Sequence, residues 1–241
     1  AVNAGEIFAN DSGIVAGNYS RITNEVSGVI NADYDDTPVV DLDVNGYNKD
    51  DGKTAGIVVG NYNTVLNEGV ILGGVNADGI YAEDDNGGGW GSITNDGGAI
   101  DVGLAGISAD SDNDIINTGG GTIVGGVDGI LLRGDDNDVE SHAGSAITGG
   151  TGAALNIQGD DNSADIDHDL GSTLASGGAG ILIGASADDN EVDVDGSVTG
   201  DGHGLDIQGD NNGINISGDL TGVNGDGANI SGNDNEVDVE G

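Results

Sequence analysis

Carboxylates carry most of the chemical capacity of this chain, and they recur on a fixed frame. Gly134-Asp135-Asp136-Asn137, Gly159-Asp160-Asp161-Asn162, Asp188-Asp189-Asn190, Gly209-Asp210-Asn211-Asn212 and Gly232-Asn233-Asp234-Asn235 repeat one acidic turn. Hard oxygen ligands stacked on such turns suit Ca²⁺. Asp135, Asp136, Asp160, Asp161, Asp188, Asp189, Asp210 and Asp234 are therefore candidate metal ligands. Beyond each turn asparagine stands a second series, Glu140, Asp165, Asp193, Asn215 and Asp238, from which Asp165, Asp193 and Asp238 join the candidates. The same series reads equally as a solvated acidic face. Neighbours about 5 Å apart on adjacent strands repel by roughly 1 kcal/mol even in bulk water. The last asparagine of each turn, with Asn63, Asn86 and Asn113 at the related place, is expected to stack into amide ladders. Asparagine also tolerates the left-handed backbone that tight turns need.

Other chemistries find less support. Paired carboxylates cleave glycosides, but here every copy carries them, so no pair stands out. Arg133 is the only basic residue after Lys53, which leaves little to hold an acidic sugar. His142, His168 and His203 fall on different copies, beside loops or at outward positions. No nucleophile motif, phosphate loop or zinc spacing occurs, and the expectation is a protein without catalytic activity. Thr122, Thr148, Thr173, Thr199 and Thr221 recur in the third strand of the frame. They read as outward strand filling or as a single-file ice-binding row.

The elements that position these residues follow from the repeat. Its frame is Gly-Ile-x-Ile-x-Gly-Asp-Asp-Asn-x-Val-x-Val, then Ser/Ala-Ile/Val-Thr-Gly. Clear copies start at Gly129, Ala154, Gly180, Gly204 and Gly227, and fainter ones at Gly13, Gly56, Gly79 and Gly106. Successive starts from Gly56 onward lie 23 to 27 residues apart. In the copy at Gly204, Leu205 and Ile207 flank Asp206, Ile214 and Ile216 flank Asn215, and Leu220-Thr221-Gly222 follows. Each copy thus holds three period-2 strands with apolar residues on one side. Stacked copies predict an all-β right-handed parallel β-helix, or β-solenoid, with three short strands per coil and about nine to ten coils. The hand follows from the preference of parallel crossovers. Ile181, Ile207 and Ile230 are expected to share one inner column. Residues 1–12 are expected to form an N-terminal cap or a donated segment, and 13–241 a single solenoid domain. Irregular insertions are expected near 31–55 and 83–99. Val40-Asp41-Leu42-Asp43-Val44 in the first is a candidate degenerate coil, and Trp90 in the second reads as a lid or a contact residue.

Composition sets the outer bounds. Among 241 residues there are 49 glycines, one Trp, five Tyr and one Phe, so the core must be thin layers of Val, Ile, Leu and Ala. Forty-four acids against four Lys and Arg give a formal charge of −40. That excludes nucleic acid and anionic membranes as partners. It also demands bound cations or a salty medium. There is no cysteine, and no apolar run approaches the ~18 residues of a membrane span. The start at Ala1, without Met, suits removal of a signal peptide. The final copy stops after its second strand, and a bare parallel edge is a template for pairing. A heterologous contact that does not close makes a filament.

Gly204-Leu205-Asp206-Ile207-Gln208-Gly209-Asp210-Asn211-Asn212-Gly213-Ile214-Asn215-Ile216-Ser217-Gly218 and Ala179-Gly180-Ile181-Leu182-Ile183 resemble passenger repeats of bacterial autotransporter-type surface proteins. The resemblance runs best from Gly106 onward, and the C-terminal membrane barrel of that family is missing. It implies a right-handed β-helix displayed outside the cell, in adhesion or matrix building. Two expectations follow. One is a structural rod, cation-stabilised with Ca²⁺, that self-associates end to end into cell-surface or matrix filaments. The other is an adhesin passenger whose side loops bind a glycan or host protein. A carbohydrate-active β-helix enzyme is the third alternative.

Overall fold

The computed structural model describes residues 1–9, 12–32, 54–83, 90–172 and 177–241. Every described strand lies in one of three parallel sheets. Sheet 1 has ten strands, from Val2–Asn3 to Glu236–Val239. Sheet 2 has nine, from Glu6–Ala9 to Leu220–Gly222, and sheet 3 has nine, from Ile14–Ala16 to Ala228–Ile230. The chain visits the sheets in the order 1, 2, 3 and then climbs one rung. The result is a parallel β-solenoid of about nine turns with three strands per coil. At about 4.8 Å per rung the rod is roughly 45 Å long.

Register shows why this sequence stacks. Each sheet sends at least one aliphatic column inward. In sheet 1 it begins Ile22, Val65, Ile93, Ile115 and Val139. In sheet 2 it begins Ile7, Ile30, Ile71, Ile100 and Ile123. In sheet 3 it begins Ile14, Ile57, Ile80, Ile107 and Ile130. One coil buries only a few such side chains. The array buries them all, because each layer packs on the next. All nine repeat starts, from Gly13 to Gly227, fall in one column at the turn from sheet 2 into sheet 3.

Several expectations change in detail. Ile181 pairs with Leu205, whereas Ile207 and Ile230 continue the column of Ile183, two residues further along. Two inner columns therefore share these residues. Residues 2–9 are not a separate cap: Val2–Asn3 and Glu6–Ala9 are the first rungs of sheets 1 and 2. The insertion near 83–99 is shorter, because Gly91–Asp96 and Ala99–Val102 are ordinary rungs. At the other insertion Val29–Ala32 and Thr54–Val59 are also rungs. The segment Val40–Val44 lies outside the described residues. The strands flanking it pair directly with the neighbouring coils and admit no extra rung between them. Trp90 is 70% exposed and does not fold back as a lid.

Candidate functional site

The side chains that could do chemistry gather at the corners and on the outer face of sheet 1. Just before eight of the ten sheet-1 strands the chain turns through one left-handed residue: Tyr19, Tyr62, Asp112, Asp136, Asp161, Asp189, Asn211 and Asp234, with φ between +55° and +61°. Asp and Asn suit this conformation because their short polar side chains bond locally. From Tyr62 onward the residue after it is the ladder asparagine. Asn137, Asn162, Asn190 and Asn212 are buried, and each donates its Nδ2 to Oδ1 of the next, at 2.9 Å from Asn137 to Asn162 and 3.0 Å from Asn162 to Asn190. The same Oδ1 accepts the backbone N–H of the residue below, at 2.9 Å for Asn137 onto Asn162. The ladder runs from Asn113 to Asn235. Asn86 lies outside the described residues, and the register position between Asn63 and Asn113 belongs to Gly91.

A second ladder stands at the turn from sheet 1 into sheet 2, where the sequence reading found none. Asn3, Asn24, Asn67, Asn95 and Asn117 are buried and joined Nδ2 to Oδ1 at 2.8–2.9 Å. Asn117 donates to Ser141 Oγ at 3.2 Å, so the Ser141 hydroxyl donates to His168 Nε2 at 2.6 Å. His168 Nδ1–H then donates to the Asp169 carbonyl at 2.9 Å. Beyond Ser141 the position becomes Ile166, Val194 and Ile216. Thus one amide ladder serves the N-terminal coils and the other the C-terminal coils. The strand Asn113–Thr118 carries both.

The aspartates read as metal ligands have separate places. Asp135, Asp160, Asp188 and Asp210 form a carboxylate ladder of their own. Each Oδ1 accepts the backbone N–H of the equivalent residue one coil on, at 2.8, 2.8, 2.7 and 2.6 Å. Asp136, Asp161, Asp189 and Asp234 are the exposed left-handed turn residues. Asp165, Asp193 and Asp238 share one outward column with Glu140 and Asn215, in the expected register. Among the described residues no three carboxylate or imidazole groups converge to hold a metal ion. The histidines are also dispersed. His142 stands 3.8 Å from Glu140 and 3.6 Å from Asp167, and His203 Nδ1 accepts the Asp226 N–H at 3.0 Å. The threonine row is broken: Thr148, Gly171, Thr199 and Thr221 share a column, Thr122 is out of register, and Thr173 lies outside the described residues.

Charge divides the outer face of sheet 1 at the strand Asn113–Thr118. On the N-terminal side the outward residues include Arg21, Thr23, Thr64, Leu66, Ser92 and Thr94, with the Asp96 carboxylate at the strand end. On the C-terminal side they include Asp138, Glu140, Asp165, Glu191, Asp193, Glu236 and Asp238. Asp114 stands on the boundary. Partial burial, and then the Asp138 carboxylate in the adjacent rung, push its carboxyl above the usual range. The folded chain therefore holds this proton to higher pH than the unfolded chain. The stability it contributes is present in acid and falls as pH rises through the raised pKa. Asp114→Asn should stabilise the fold at pH 7 by roughly a few tenths of a kcal/mol after solvent screening. The gain should vanish below the carboxylate range. Urea denaturation at pH 7 and pH 3 checks both halves.

Asp128 is the buried counterpart, at the turn into sheet 3. Burial pushes its carboxyl up, against the Ala153 N–H at 2.8 Å, Asn156 Nδ2 at 3.2 Å and the Arg133 charge. Arg133 itself reaches Asp78 at 3.8 Å and lies 5.2 Å from the centre of the Tyr81 ring.

No family model, curated protein or solved structure matches the chain. Fold and corners together define a class: a three-sided parallel β-solenoid, bound internally by amide and carboxylate ladders and half covered by an acidic face.

Proposed function

We propose that this chain is a non-catalytic extracellular structural rod of a cell surface or its matrix, extended end to end by a second copy. The observation that supports it is continuity. All three ladders of strands run unbroken through the described coils, each rung pairing with its neighbours along the rod. At one end the inward Ile230 and Val239 are 46% and 39% exposed, and at the other the inward Ile7, Ile14 and Ala16 are only half-buried. A further coil on either end would cover these side chains and pair the free backbone groups. The same contact cannot close on itself, so it propagates. The resemblance to autotransporter-type passenger repeats supports the surface location. Cations must screen the formal charge of −40 before two rods can abut. At 0.15 M salt the screening length is about 8 Å.

Electron microscopy and sedimentation of the purified chain, in low salt, in 0.15 M salt (a screening length of about 8 Å) and with added Ca²⁺, test this. The expected result is rods that lengthen in steps of roughly 45 Å as cations are added. Deleting the last sheet-1 rung, Glu236–Val239, should abolish the lengthening. A chain that stays monomeric at high concentration in every cation condition overturns the reading.

A further inference from the structure

Seven aromatic residues occur in the chain, one Trp, one Phe and five Tyr. Three of them occupy one corner place in successive coils. Tyr19, Tyr62 and Trp90 each stand two residues before the paired sheet-1 positions Arg21, Thr64 and Ser92. All three are exposed, at 77%, 45% and 70%. The Tyr19 and Tyr62 rings stack with centroids 4.8 Å apart and planes 2° from parallel.

Their backbone makes the placement informative. Tyr19 and Tyr62 have φ of +59° and +58°, where the coils from Asp112 to Asp234 use Asp or Asn. A bulky residue in this conformation is strained. The fold does not require it, since Asn211 makes the same corner at φ +58°. Exposed aromatic rings gain nothing from core burial here. The strain therefore points to a role at the surface.

We infer that this corner, with the hydroxyl-bearing half of sheet 1 beside it, binds a neutral polysaccharide lying along the rod. Sugar rings present C–H faces that suit the negative faces of aromatic rings. The adjacent outward positions offer hydroxyls to a ligand that is itself a repeat of hydroxyls: Thr64 and Ser92 in register one coil apart, and Thr23 and Thr94 on either side of Leu66. The carboxylate that this half of the face carries on a strand, Asp96, stands at the strand end away from the corner. An anionic glycan is repelled by the chain as a whole, whose formal charge is −40.

Trp90 is the single tryptophan, so its emission reports directly on this corner. The 241-residue chain is titrated with cellohexaose, xylohexaose, mannohexaose and chitohexaose, and with hexagalacturonate as the anionic comparison. At least one neutral sugar should shift the emission saturably, with little dependence on salt, and hexagalacturonate should not. Tyr62→Asn keeps the corner geometry that Asn211 already shows and should weaken binding about tenfold. Circular dichroism confirms that the variant is folded. Silence with all four neutral sugars overturns the assignment, as does equal binding by Tyr62→Asn or by hexagalacturonate. Emission that changes with protein concentration alone also overturns it and makes a second copy the occupant. None of these readouts requires end-to-end assembly.

Discussion

Asn162→Ala should cost the fold about 3–4 kcal/mol, because it removes several buried hydrogen bonds at once and leaves a donor without a partner. The Asn162 Oδ1 accepts both the backbone N–H and the Nδ2 of Asn137, each at 2.9 Å. Its own Nδ2 donates to the Asp160 carbonyl and to Asn190 Oδ1. Water cannot replace these bonds, since Asn137, Asn162 and Asn190 are each 1% exposed. Asn235 makes the same contacts to Asn212 at the end of the stack, where it is only half-buried. Asn235→Ala should therefore cost about 1 kcal/mol, as for a solvent-replaceable hydrogen bond. Asn162→Asp keeps the acceptor but replaces the donor with a second acceptor oxygen, which faces the Asp160 carbonyl and Asn190 Oδ1. Its loss should be largest at neutral pH and shrink once the new carboxyl is protonated and can donate again. Urea denaturation of the three variants checks the ranking. Equal losses for Asn162→Ala and Asn235→Ala would show that the ladder is a by-product of stacking rather than a source of stability.

What was readable in the sequence follows from which constraints repeat in every coil. The glycine starts were legible because a side chain there has little room, so eight of the nine copies begin on glycine. The outward series Glu140, Asp165, Asp193, Asn215 and Asp238 was legible because strand alternation fixes its face. The ladder from Asn3 to Asn117 was not. Its asparagines close strands and precede turns of unequal length, as in Asn67-Glu68-Gly69 and Asn117-Thr118-Gly119-Gly120-Gly121, so each looks like an isolated turn residue. A glycine follows each of the four from Asn24 to Asn117 within a few residues, at Gly28, Gly69, Gly98 and Gly121. A Cβ there would strike a ladder amide, and that pairing was the available signal. Tyr19, Tyr62 and Trp90 were hidden for a related reason: uneven spacing between the early coils masks their common corner. The carboxylates of Asp135 to Asp210 show a different limit. Residue type alone does not distinguish an oxygen held for an ion from one that accepts the next coil's N–H.

Gly106→Val should be as damaging as the loss of a ladder asparagine, at about 3 kcal/mol, the upper end for overpacking a close-packed core. A Cβ on Gly106 would lie 2.4 Å from Ile123 Cγ2 and 2.7 Å from the Gly129 carbonyl oxygen. Neither neighbour has room to give. Ile123 is fully buried, and the Gly129 carbonyl accepts the Ile107 N–H at 3.1 Å, so moving it breaks the rung. The clash recurs at Gly13, Gly56 and Gly79, each against a sheet-2 isoleucine Cγ2 at 2.4 Å. β-Branching in sheet 2 and glycine at the next turn are thus one constraint. Ala154 is the exception that tests it. There the sheet-2 residue of the following coil is Leu170, which carries no branch at Cβ, and the Ala154 methyl is fully buried. Ala154→Gly should cost about 1 kcal/mol through added backbone freedom in a strand, while Leu170→Ile should revive the clash and be rescued by Ala154→Gly in the double variant. A double-mutant cycle by urea denaturation measures the coupling. If Leu170→Ile proves neutral beside Ala154, the glycine column owes its origin to turn conformation and not to packing between coils.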